Sequence, residues 1–542
     1  MSTHKSQDVT TVPSRNSHIR WVYLSAIVVV GSSIGLLYYF SHCPHVNIDD
    51  CDRSDRTARI HPDYTGIVIP PNIAPLRFVV DEPAAYYYLR ITSERSDEAI
   101  DVYSRDPCLE IPLKPWQGLL RQNPGGKLYF DICTSDNNGR WTRFQTITNT
   151  IADSPIDPYV VYRKICLSVS WCDIGTYQRN LTNFDESPVL HNSTYTFGCA
   201  HCHSFLNNDP DNMLMQIRSL EYGTPMLTVR SGQLSAVNTK TRVTSGKCGF
   251  AAWHPSGSVI AFAVNHYCML YHSAAVEVRD VFDRCADLAL YLADSNSVIS
   301  TSAITDPNRL ETFPQFSPDG RYLYFCSAPQ VIPQRLRYVL CDLMRIGYDI
   351  DTNEWGALET VLTAKQVGGS ITQPRFSPDG RYILLSVSEY SDFPIHQSKC
   401  DLFLFDTQSG SYSKLPISSD RNDSWHGFSS NGRWIVFNSK RIDGRYSRPF
   451  FSYFDTDGNA HKPFVMPQRD PSFYDSLTLA YNMPELIKSP IKITQKQFSR
   501  SIVSYKNTTA ASAVTGATPG VAPPESTAHD SQSPWSATDI RE

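Results

Sequence analysis

The sequence predicts an all-β chain in which an apolar N-terminal helix precedes a small β-sandwich and a β-propeller of about six blades. Three observations predict it. Aromatic residues make up 12% of the chain, with 29 Tyr and 25 Phe against 8 Met, a balance that favours strands over helix bundles. Short alternating runs bounded by Gly, Pro, Asn and Asp recur along most of the length. A ten-residue unit also repeats without gaps: WHPSGSVIAF (253–262), FSPDGRYLYF (316–325), FSPDGRYILL (376–385) and FSSNGRWIVF (428–437). The 542 residues leave room for two or three domains.

The first element is a membrane anchor. Residues 21–40, WVYLSAIVVVGSSIGLLYYF, carry no charge, and about 20 residues of helix cross a hydrocarbon core of roughly 30 Å. Trp21, Tyr23, Tyr38 and Tyr39 stand at its ends, where interfacial aromatics belong. Lys5, Arg15 and Arg20 precede it and Asp49, Asp50 and Asp52 follow, so residues 1–20 stay cytoplasmic and the rest is exported. In a bacterial cell this means a single-pass protein of the inner (cytoplasmic) membrane with its bulk in the periplasm. A lipoprotein signal ending at Cys43 is the alternative, although Phe40-Ser41-His42 lacks the small residues of a cleavage site.

Residues 41–61 are expected to form a polar linker. Residues 62–155 alternate strand patterns such as YYYLRIT (86–92) and KLYFDICTS (127–135) with turn signals such as NPGG (123–126) and DNNG (136–139), which predicts a β-sandwich. The repeats place a propeller over 156–490. Each unit is an aromatic, a tight turn ending in Gly, then an alternating strand; Pro fixes φ in the turn and Gly accepts φ > 0. All-β repeats starting 63, 60 and 52 residues apart are the signature of blades. Further blades are expected near 157–180, 222–247 and 448–467. The tail from 505 to 542 is rich in Ala, Ser, Thr, Pro and Gly and is expected to be disordered.

One motif carries chemistry. Cys199-Ala200-His201-Cys202-His203 is C-x-x-C-H, the pattern that attaches c-type haem. Two thiols three positions apart can join the two vinyl groups of a porphyrin, with the next His beneath the iron. The pattern predicts one covalent haem c in an insertion over about 187–222. Downstream, Asp209 and Pro210 suit the N-cap and first position of a short helix. Met213 would sit one turn into it and is the expected sixth ligand, since Met commonly partners His on haem iron. His191, His201, His254, His266 and a five-coordinate iron are the alternatives. A zinc or redox thiol pair is the rival reading of the cysteines, though no second pair at matching spacing and no βαβ setting accompany them. Cys43–Cys51 and Cys166–Cys172 are disulfide candidates by proximity in sequence.

The repeats resemble TolB-like propeller repeats with Pro-Asp-Gly turns. More specifically, IPPNIAPLRF (69–78), GTYQRNLTNFDE (175–186), CAHCHSF (199–205), WHPSG (253–257), FSPDGRYLYFCSA (316–328) and RPFFSYFDTDGNAHKPFVMPQ (448–468) are similar to an exported TolB-like propeller family of Bacteroidetes-type bacteria with an inserted c-type haem motif. The resemblance implies thioether bonds at Cys199 and Cys202, iron ligation by His203, and a Met at position 213. Ser430-Asn431 departs from Pro-Asp but keeps Gly432.

These readings predict electron transfer by an exported cytochrome to or from a docked partner. The alternative is an envelope protein-binding scaffold whose haem is structural or a sensor; a haem enzyme comes third. His254, His272, His396 and His426 recur near repeat turns and could converge on one face. The net charge of −5 shows no basic stripe, so nucleic acid is not an expected partner. No G-x-S-x-G elbow, P-loop or H-E-x-x-H supports a hydrolase or a nucleotide enzyme.

Overall fold

A computed structural model describes residues 46–167, 173–196, 198–241, 244, 248–272, 277, 279–505 and 511–513. The predicted anchor over 21–40 and Cys43 lie outside the described residues, as do Cys172 and nearly all of the tail. Among the described residues no helix is long and apolar enough to cross a membrane.

The N-terminal unit contains a seven-stranded sheet, a three-stranded sheet and the helix Leu113–Gln122. Trp116 of that helix is fully buried, and its indole N–H donates to the Ile73 carbonyl at 2.9 Å. The unit begins earlier than the sequence suggests. Asp52–Thr57, placed in the linker by its composition, is a strand running parallel to Trp141–Gln145, and Ile60–His61 pairs with Phe78–Val80. Asp52–Thr57 is an exposed edge held mainly by backbone pairing, so no apolar alternation marks it. One hydrophobic core runs continuously from this unit into the repeats, joining Ile73, Leu76 and Trp116 to Leu384, Trp434 and Phe437.

The rest is mostly β, built from four-stranded antiparallel units in a propeller-like ring. Six strands lead the units: Leu479–Ile487, Cys199–Leu206, Cys248–Trp253, Arg309–Phe316, Ser370–Phe376 and Asp423–Phe428. Each touches the next, and the last touches the first, so the ring is closed. Leu479–Ile487 comes from the far end of the chain to pair antiparallel with Tyr159–Cys166, which fastens the two ends of the ring together. Two units share one larger sheet through a single parallel pair, Ala286↔Leu310.

The repeat turns behave as their residues dictate. Gly257, Gly320, Gly380 and Gly432 all have φ between +67° and +76°. In the turn at 317–320 the Ser317 hydroxyl donates to Asp319 at 2.6 Å; Ser429 donates to Asn431 at 2.6 Å, so the departure from Pro-Asp preserves the bond. Each turn leans on its neighbour. A Cβ on Gly320 would stand 2.5 Å from His254 Nε2, and one on Gly432 3.3 Å from Pro378.

Four further expectations differ from the structure. The stretches near 222–247 and 448–467 are not additional blades: Met226–Arg230 and Gln233–Val237 are outer strands of the unit led by Cys199–Leu206, and Arg448–Tyr453 and Phe464–Val465 of the unit led by Asp423–Phe428. Residues 199–218 are not an insertion but the first two strands of a regular unit, Cys199–Leu206 and Asp209–Arg218. The short helix expected after Asp209 is that second strand. Its run Met213-Leu214-Met215-Gln216-Ile217 is buried on both faces, which suits a strand packed between neighbouring units. In the tail, Ser512–Ala513 adds a short parallel strand beside Ser297–Ile299.

Candidate functional site

Each leading strand carries a β-bulge near its start. The register slips between His201 and Ser204, Cys248 and Ala251, Thr312 and Gln315, Thr372 and Arg375, and Ser424 and Gly427, and between Asn482 and Glu485 on the closing strand. Five of the bulged residues adopt left-handed φ: Cys202 at 50°, Phe313 at 51°, Gln373 at 57°, Trp425 at 50° and Met483 at 50°. Bulges turn side chains away from strict alternation, and here the ring directs them at one another. Phe250 stacks on Phe313 with centroids 4.0 Å apart, and Trp425 lies 5.6 Å from Phe250 and 6.1 Å from Phe313. Cys202 and Met483 join the same apolar cluster, which plugs the channel.

Above the plug, at the end where the leading strands begin, lies a cavity of about 180 Å³. Cys199, His201 and Cys202 face it, with Arg163, Arg218, Arg279 and His396. His203 and Met213 do not line it. Regular alternation would put His203 on the same side as Cys199 and His201. The bulge at Cys202 reverses the order, so His203 turns into the wall, 2% exposed and 5.8 Å from the Phe205 ring. Burial, with the Arg163 charge, pushes its pKa down to about 3, and a hydrogen bond joins it to the Met483 backbone. Met213 pairs with Phe205 and sits in the core between two units, 1% exposed. A thioether-bound haem needs both thiols and its iron ligands to open on one space. The thiols do, whereas His203 and Met213 do not, so this arrangement does not fit a haem held by that ligand pair.

The cavity's electrostatics follow from burial. The His201 imidazole is 6% exposed; burial and the charges of Arg218 and Arg163 hold its pKa well below the ordinary value, so it is neutral. Its Nδ1 lies 3.0 Å from Cys202 Sγ, and its Nε2 has no partner among the described residues. Burial pushes the Cys202 thiol up to about 11. Cys202 is thus a protonated, weakly nucleophilic thiol at neutral pH. Arg163 donates to Cys199 Sγ at 3.5 Å, and the Arg218 guanidinium lies 4.6 Å from the Tyr267 ring centroid. Burial and the Arg279, Lys440 and Arg163 charges likewise keep His396 neutral.

The other histidines do not converge. His254 shapes a turn, 2.8 Å from the Ser256 hydroxyl; His272 pairs with Asp280 at 3.1 Å; His426 is buried one residue after its bulge. Among the described residues no group of three or more His, Cys, Asp or Glu side chains is arranged to hold a metal ion. Cys43, the disulfide partner suggested for Cys51, lies outside the described residues; the Cys51 thiol donates to the Asn47 carbonyl at 3.4 Å and is clustered with buried Cys133.

The cavity arginines and the aromatic plug escaped the sequence reading. A signal for the plug was present: the residue three before each repeat's leading aromatic is Phe250, Phe313, Gln373 or Trp425, and three before Phe205 is Cys202.

No protein-family model matches the chain, and no curated protein matches it. Among solved structures it is similar to TolB from Acinetobacter baumannii, at 13% identity and TM-score 0.38 over 69% of this chain and 85% of that one. It is also similar to a TolB candidate from Agrobacterium tumefaciens, at 14% identity and TM-score 0.35 over 60% and 96%. A chain of the nidogen/laminin complex gives 7% identity and TM-score 0.33 over 57% and 99%. These likenesses concern the fold alone.

Proposed function

We propose that the chain is a membrane-anchored, exported binding module: a six-bladed TolB-like propeller that captures a small ligand in the cavity at one end of its channel. One observation carries this reading. Four of the six leading strands, Cys199–Leu206, Cys248–Trp253, Asp423–Phe428 and Leu479–Ile487, line a walled cavity against the aromatic plug, and the residues of the C-x-x-C-H motif that face it are Cys199, His201 and Cys202 rather than an iron-ligand pair. A rigid ring that supplies a concave, mostly apolar space with a few polar groups has the form of a ligand site. The N-terminal unit, sharing a core with the repeats, offers a further surface for an envelope protein partner.

A second reading, electron transfer by a covalent haem c on Cys199 and Cys202, has one observation in its favour: both thiols open on the same cavity. It requires His203 and Met213 to leave the packing that buries them.

The two readings separate by expressing the full chain together with haem-maturation machinery. The binding-module reading expects no c-type absorption bands and an unmodified mass for the peptide containing Cys199 to His203. A haem adduct on that peptide would replace it with the cytochrome reading.

A further inference from the structure

The cavity wall is cationic and its charges are unbalanced. Arg163, Arg218 and Arg279 line it, and no Asp or Glu does among the described residues. Among the described residues none of the three forms an ion pair. Arg163 Nε is buried without a partner among the described residues, as is Nε2 of His201. An adjoining lobe shares Arg163, Arg279 and His396 and adds Lys440 and Arg445; there Glu277 pairs with Lys440 at 2.6 Å and leaves the arginines unanswered. Burying cations without a counter-charge is unfavourable, and guanidinium forks match carboxylate and phosphate oxygens in pairs. Ile165, Phe250, Phe393, Ile395, Trp425 and Met483 give the remaining wall an apolar and aromatic character.

We propose that the cavity binds a small organic anion, a carboxylate or phosphate ester with an apolar body, its charged end held by Arg163, Arg218 and Arg279 and its body laid against Phe250 and Trp425. The proposal rests on the binding-module reading and adds the ligand's chemical class.

Cys199 provides a local reporter, because it lies half-buried at the cavity beside Arg163. The test alkylates the full chain with iodoacetamide and follows the Cys199 peptide by mass. The anionic probes are phenyl phosphate and benzoate, and benzyl alcohol is the neutral one. The anions are expected to slow alkylation and raise the unfolding temperature, and benzyl alcohol to do neither at the same concentration. Arg218→Gln and Arg279→Gln should each weaken protection about tenfold, the size of one lost charge-assisted bond. Should Arg218→Gln fold poorly through loss of its Tyr267 contact, Arg279→Gln alone decides. Equal protection by benzyl alcohol, or full protection in Arg279→Gln, would overturn the anion assignment and leave the binding reading standing. No protection by any of the three would remove both.

Discussion

His203 separates a wall residue from an iron ligand, and proline is the substitution that tells them apart. His203 follows the left-handed Cys202, as Pro314 follows Phe313, Pro374 follows Gln373 and Pro484 follows Met483. Three of the ring's own bulges therefore already carry proline at this place. His203→Pro removes one hydrogen bond to the Met483 backbone, a net loss of about 1 kcal/mol. A proline whose backbone already suits it returns about 0.4–1 kcal/mol by restricting the unfolded chain. The two effects nearly cancel, so the full chain should unfold within about 4 °C of its parent. Leu214→Pro is the control. Leu214 is fully buried and pairs on both sides, with Ser204 and Thr228, so proline there breaks the ladder and the packing and should cost on the order of 3 kcal/mol or more. Thermal unfolding followed by intrinsic fluorescence measures both. If His203→Pro is as damaging as Leu214→Pro, the shared bulge geometry is wrong.

Two further predictions follow from packing and charge. Phe313→Ala removes a 5%-exposed ring stacked on Phe250, which should cost about 3–5 kcal/mol and speed alkylation of Cys202; an unchanged Cys202 rate would mean that the plug does not close the channel. Glu311 is 2% exposed, and burial, followed by the Asp287 charge, raises its carboxyl to about 8. The folded chain thus keeps a proton that the unfolded chain gives up near pH 4.5, so ionisation erodes stability as pH rises from there to about 8 and no further above it. Glu311→Gln cannot ionise. It should match the parent near pH 4.5 and exceed it by a few kcal/mol at pH 9, and parallel pH profiles would contradict the raised carboxyl.

Local chemistry alone determined much of this protein. The turns at Gly257, Gly320, Gly380 and Gly432 need positive φ wherever the chain reverses, so the repeating unit and the propeller-like class were legible in single windows. The unit at 199–218 was hidden because its turn uses Asn207 and Asn208, both left-handed, in place of Pro-Asp-Gly. Asp52–Thr57 was hidden because an exposed edge strand needs no apolar alternation. The direction of the motif's side chains was beyond any local rule. Spacing places Cys199, Cys202 and His203 close in sequence, but one bulge, stabilised by five neighbouring strands in a closed ring, turns His203 inward and leaves His201 facing the cavity. The same closure brings Arg163, Arg218 and Arg279 together from separate strands. Convergence of that kind depends on the ring, because no short segment contains the residues that meet.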